Sequence, residues 1–141
     1  MPVVYQIDGD KKIIRTRCLE PLTVEEVLEH FRTLERDPNC PERLDVLLDV
    51  SEATSVPLSE NLRQVTREIA RVRSRVQFGT CAIVASSDAL FGMMRMWEVF
   101  AEDYFRETRV FRAVADAEAW LASQTKNAFS NTQGAISSRL V

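Results

Sequence analysis

Few residues in this chain have the types and spacing that reactive chemistry needs. There is one histidine, His30, and three widely separated cysteines, Cys18, Cys40 and Cys81. A zinc site asks for several His or Cys side chains at close intervals, and no such repeat occurs. A Cys–His nucleophile needs a proximity that these spacings do not supply. With only four glycines there is no glycine-rich phosphate loop, and no serine-hydrolase elbow is present either. Asp49, at a strand end, and Asp88, at a helix start, stand near a sheet edge where α/β proteins form clefts. Together they could hold a cation, but capping by Asp88 and a bond from Asp49 to its own loop is the plainer reading. No catalytic residue, metal ligand or cofactor is assigned, and a non-enzymatic protein is expected.

Two helical segments carry the remaining signals. In the first, Arg63, Arg67 and Arg71 recur every four residues, with Arg73 and Arg75 following. Glu60–Arg75 thus holds five arginines against two glutamates, in a chain whose net charge is −3. Such a stripe could face an anion; equally, it makes a solvated outer face with favourable charge at the helix end. The second segment, expected to be helical over Asp88–Arg106, is rich in Met and aromatic residues. At about 100° per residue, Leu90, Met93, Met94, Trp97, Phe100, Ala101, Tyr104 and Phe105 form one broad apolar face. Phe91, Met96 and Val99 fall outside or at its margin. Gly92 costs about 1 kcal/mol in a helix interior, which suggests a close backbone approach there, to a loop, a subunit or a bound lipid.

The elements that must position these residues follow from periodicity and turn signals. Val3–Asp8 and Ile13–Cys18 flank the turn Gly9–Lys12 and read as a hairpin. Thr23 caps a helix with Glu26 three residues on, and Val24, Val27, Leu28, Phe31 and Leu34 form its apolar stripe. Leu44–Val50 is a strand, and Ser59 caps a helix reaching about Arg75. Thr80–Ala85 reads as a buried strand, Arg109–Arg112 as a last strand and Ala115–Ala122 as a last helix. The result is an α/β fold, order ββαβαβαβα, with a mixed, mostly parallel five-stranded sheet covered by helices. Residues 1–123 form one domain, and residues 124–141 are expected to be a flexible tail.

The 141 residues, 45% hydrophobic and 28% charged, match one globular domain. The acidic balance disfavours nucleic acid as a partner. No apolar run reaches membrane-spanning length and Met1–Asp10 lacks a signal-like pattern, so a cytoplasmic location is expected. Reduced thiols agree with that. Cys18 and Cys81 should behave as small core hydrophobes, whereas Cys40, between Asn39 and Pro41, is expected at the surface.

The succession of elements, with LDVLLDVS after the first helix and GMMRMWEVF followed by RVFRAVADAEAWL, resembles the bacterial SpoIIAA-like proteins. These are related to the STAS domains of anti-sigma-factor antagonists. The resemblance spans about Val3–Ala122 and implies a sheet-and-helix arrangement shared with eukaryotic lipid-transfer domains. In partner-switching members a serine after the third strand is phosphorylated. Aligning Asp49-Val50-Ser51 with that strand end brings Leu58 onto the serine position, so this phosphorylation is not implied here.

Two functions from different classes follow. The first is a protein-interaction or regulatory module, self-associating or binding another protein through Phe91, Gly92, Met96 and Val99. The alternative is a carrier of a small hydrophobic or lipid-like ligand, with Met93, Met94, Met96, Trp97 and Phe100 helping to line a cavity. In that case Arg63, Arg67 and Arg71 would attract an anionic headgroup.

Overall fold

A computed structural model describes residues 3–20, 22–53 and 56–124. The expected tail falls almost wholly on residues 125–141, outside the described residues. The fold is α/β, with a five-stranded mixed sheet in the order β1-β2-β3-β4-β5. The strands are β1 Val3–Asp8, β2 Ile13–Cys18, β3 Arg43–Asp49, β4 Gln77–Val84 and β5 Glu107–Phe111. Only β1 and β2 pair antiparallel; the other three pairings are parallel. Helices α1 (Val24–Arg36), α2 (Ser59–Val72) and α3 (Asp88–Phe100) make the crossovers, and α4 covers residues 114–124.

Sequential strand order and one crossover hand place α1, α2 and α3 on the same face of the sheet. Strand alternation shows the consequence. Cys81 and Ile83 of β4 join the core under those helices, while Ala82 and Val84 pack on the other face with Ala117, Trp120 and Leu121 of α4. β4 is therefore buried on both faces, which is why it carries no charge. β2 is covered differently. Ile14, Thr16 and Cys18 are buried, whereas Arg15 makes a two-toothed ion pair with Glu118 of α4 and Arg17 pairs with Glu52.

Local chemistry sets several boundaries. Asp8 Oδ1 accepts the amides of Asp10 and Lys11, closing the hairpin turn, and Lys12 takes the left-handed conformation at φ 57°. Thr23 caps α1 as expected, its hydroxyl accepting from Glu26 N–H. Ser59 does not cap α2: the cap is Leu58, whose N–H donates to Asn61 Oδ1, and Ser59 is already the first helical residue. α2 also stops at Val72, earlier than expected.

α3 likewise ends at Phe100 rather than Arg106. The chain must turn to enter β5, and Arg106 N–H joins the sheet by donating to Gly79 C=O at 2.9 Å. Phe105 stays in the core even so, ringed by Phe78 and Trp97, each 5.6 Å away between centroids. Cys40 corrects a further expectation, being 4% exposed. It packs with Ile14, Leu34, Leu44 and Val76 beneath the α1–β3 turn. Arg75 closes that turn from outside, donating to the carbonyls of Asp37 and Cys40.

Between β3 and β4 the register shifts after Leu44, so that Asp45 stands opposite extra residues of β4. Its carboxylate accepts Thr80 N–H at 2.9 Å and lies where a Cβ on residue 79 would stand. Glycine at 79 is what admits it.

Candidate ligand cavity

On the face covered by α1, α2 and α3, the core is not filled. A cavity of about 330 Å³ lies between the sheet and these helices. Its floor includes Thr16 and Cys18 of β2, Val46 and Leu48 of β3, and Cys81 of β4. α1 contributes Val24, Val27, His30 and Phe31, α2 contributes Leu62, Val65 and Ile69, and α3 closes the far side with Leu90, Met94 and Trp97. The volume follows from side-chain length. Valines at 24, 27 and 65 face threonine and cysteine at 16, 18 and 81, and short side chains on both walls do not meet.

The two helices above the cavity are held together at one end. Glu68 of α2 stands 2.7 Å from Arg71 and 3.9 Å from Arg32 of α1, and Arg71 also reaches Glu35 at 2.6 Å. All four groups lie in the C-terminal halves of α1 and α2. At the opposite end the cavity is walled by Leu22, Thr23 and Val24 before and within α1, and by Val56, Pro57 and Asn61 before and within α2. Thr23 and Val56 are exposed there, so the cavity meets solvent at the C-terminal edge of β2 and β3. Leu58, 70% exposed, is an apolar residue next in sequence to Pro57 of that wall.

Among the described residues the lining contains no Asp, Glu, Lys or Arg. Its polar atoms are few. Thr23 and Asn61 are engaged as helix caps. The Thr16 hydroxyl and the His30 ring nitrogens make no hydrogen bond among the described residues, and Trp97 Nε1 is buried without a partner among them. Burial pushes the His30 imidazole down to about 4 and the Cys18 thiol up to about 12; the Cys81 thiol is also raised by burial. At neutral pH every group on the wall is therefore uncharged. The cysteines are inert thiols, not nucleophiles.

The residues singled out from sequence divide. Met94 and Trp97 line the cavity, as the ligand-carrier alternative expects. Met93 and Phe100 instead pack partly buried against the main core, and Met96 is 43% exposed on the outer side of α3. Phe91 is half-buried under the Arg112 guanidinium, 4.1 Å from its ring centroid. Gly92 is exposed, with nothing within 4 Å of where a Cβ would stand, so no loop among the described residues approaches it closely. Val99, 63% exposed, lies one turn beyond Met96.

The arginines of α2 do not form an open anion-facing row. Arg63 lies over the Phe100 ring, Arg67 pairs with Glu60, and Arg71 is shared by Glu68 and Glu35. Asp49 takes the loop role, accepting from the Ser51 amide and hydroxyl. Asp88 begins α3 and pairs with Arg112, while Ser87 caps the helix. Among the described residues no group of three or more His, Cys, Asp or Glu side chains is placed to hold a metal ion.

Sequence reasoning missed the α1 and α2 walls. The signal was present as valine at core positions 24 and 27 of α1 and 65 of α2, and as a lone threonine at a core position of β2. No protein-family model matches the chain, and no curated protein matches it.

Proposed function

We propose that the protein binds and carries a small hydrophobic ligand in the cavity beneath α1 and α2. The observation that carries this reading is a cavity of about 330 Å³, uncharged over its described lining, in a chain of 141 residues. Small-molecule sites occupy roughly 300–1,000 Å³ and are mostly apolar with a few polar groups. A core left unfilled to this extent forfeits packing, and a ligand restores it. Leu58 supports the same reading. Where the SpoIIAA-like resemblance would set a phosphorylated serine, the chain presents an exposed apolar side chain, next in sequence to Pro57 of the cavity wall. The three free thiols suit a reducing compartment, so we place the carrier in the cytoplasm.

Val65→Phe is the direct test, because Val65 lines the cavity from α2 and a larger ring there would occupy it. N-phenylnaphthylamine, a neutral dye whose emission rises in apolar surroundings, should bind the natural protein. It should bind the variant at least about ten-fold more weakly, with the folded state kept or stabilised by the added packing. No dye binding by the natural protein, or equal binding by a folded variant, would overturn the reading.

A second reading is favoured by Met96 and Val99, 43% and 63% exposed on one side of α3. They form a contact surface for a second copy of the chain, on the outer side of the helix whose inner side lines the cavity.

A further inference from the structure

We infer that the cavity selects an uncharged amphiphile, a single-chain alcohol or similar neutral molecule whose polar group meets Thr16 and His30. The inference rests on the ligand-carrying reading above and specifies the class of ligand. It comes from the neutral polar groups on the described wall, where Thr16 and His30 make no side-chain hydrogen bond to other described residues.

Thr16 and His30 reach one region from two elements. Thr16 is paired with Tyr5 across the β1–β2 ladder, and the Tyr5 ring meets His30 edge-on at 5.2 Å between centroids. Tyr5 keeps its own hydroxyl for Asp37 Oδ2, at 2.6 Å, and so does not satisfy either neighbour. A neutral imidazole has one donor and one acceptor nitrogen, and a threonine hydroxyl can do both. Such a pair suits a ligand hydroxyl, which also both donates and accepts.

A carboxylate or an ammonium in the same place would find no counter-charge on the described wall, because none of the described lining side chains is acidic or basic. An unpaired charge moved from water into apolar surroundings is strongly disfavoured, whereas a hydroxyl that gains a hydrogen bond is not. Ionic groups around the cavity are engaged elsewhere: Asp37 with Tyr5, Asp49 with Ser51, Asp45 with the Thr80 amide, Glu98 with Arg95, and Glu35, Glu68, Arg32 and Arg71 with one another. The pocket thus discriminates by withholding a partner from charged competitors.

Displacement of N-phenylnaphthylamine from the full chain at neutral pH tests this with decanol, decanoate and decylamine, which share one alkyl length and differ in head-group charge. Decanol should displace the dye at a concentration at least about ten-fold below either charged analogue. His30→Leu should weaken decanol several-fold while leaving decane unchanged, and Thr16→Val provides the same comparison should the first variant fold poorly. Equal displacement by all three probes overturns the neutral-ligand inference and leaves the carrier reading standing. Decanol affinity unchanged in both folded variants removes Thr16 and His30 as its contacts and overturns the inference as stated. Failure of the dye itself to bind overturns the carrier reading as well.

Discussion

His30 shows how one side chain reports its surroundings. Its ring lies between Tyr5 and Phe31 on a wall without charge, and burial alone lowers it to about 4. An unfolded histidine titrates near 6.5, so between about 4 and 6.5 the unfolded chain binds the extra proton and the folded chain does not. Stability should therefore rise with pH across that window, stand complete above it, and fall by about 2 kcal/mol as the pH drops toward 4. Urea midpoints measured through that range for the natural protein and His30→Leu check it. The variant should lose this share of the acid sensitivity, and parallel pH curves would show that His30 titrates as freely in the fold as outside it.

At the scale of elements, α1 and α2 are joined by charge at one end and separated by short side chains at the other. Glu68 is the junction, its side chain 12% exposed and paired with both Arg32 and Arg71. Glu68→Gln leaves those two guanidinium groups without their shared carboxylate, so the helices should loosen where they are now tied. The expected result is a thermal midpoint lower by roughly 3 °C, with faster amide exchange in both helices. Salt should shrink the difference between the two proteins, since the pairs lie near solvent. A hydrophobic origin for the α1–α2 contact would instead leave the midpoint unchanged by the substitution.

For the whole molecule, the two faces of α3 make separable claims. Leu90, Met94 and Trp97 turn inward to the core and cavity, whereas Met96 and Val99 remain on the surface. Met96→Glu combined with Val99→Lys should convert any dimer to monomer by native mass spectrometry while N-phenylnaphthylamine binding stays within about two-fold. A natural protein that is already monomeric, or a variant that still dimerises, rejects the contact surface. A variant that loses dye binding along with assembly would instead show that the cavity depends on the dimer. Among the described residues no helix is long and apolar enough to cross a membrane.

Element order was legible along the chain because periodicity is local: Thr23 caps, Val24 to Leu34 repeat at helical spacing, and the uncharged run of β4 marks a strand buried on both sides. Boundaries set by distant partners were not. α3 stops where Arg106 must meet Gly79, far back in the chain. The methionine-rich helix drew attention to Met94 and Trp97, yet most of the cavity belongs to α1, α2 and the sheet. Apolar periodicity says which side of a helix turns inward, and it did so for each of these elements. It does not say whether the inward side chains meet. That depends on the summed reach of residues far apart in the chain, here valines of two helices over threonine and cysteine of the sheet, and only the tertiary structure brings them into one volume.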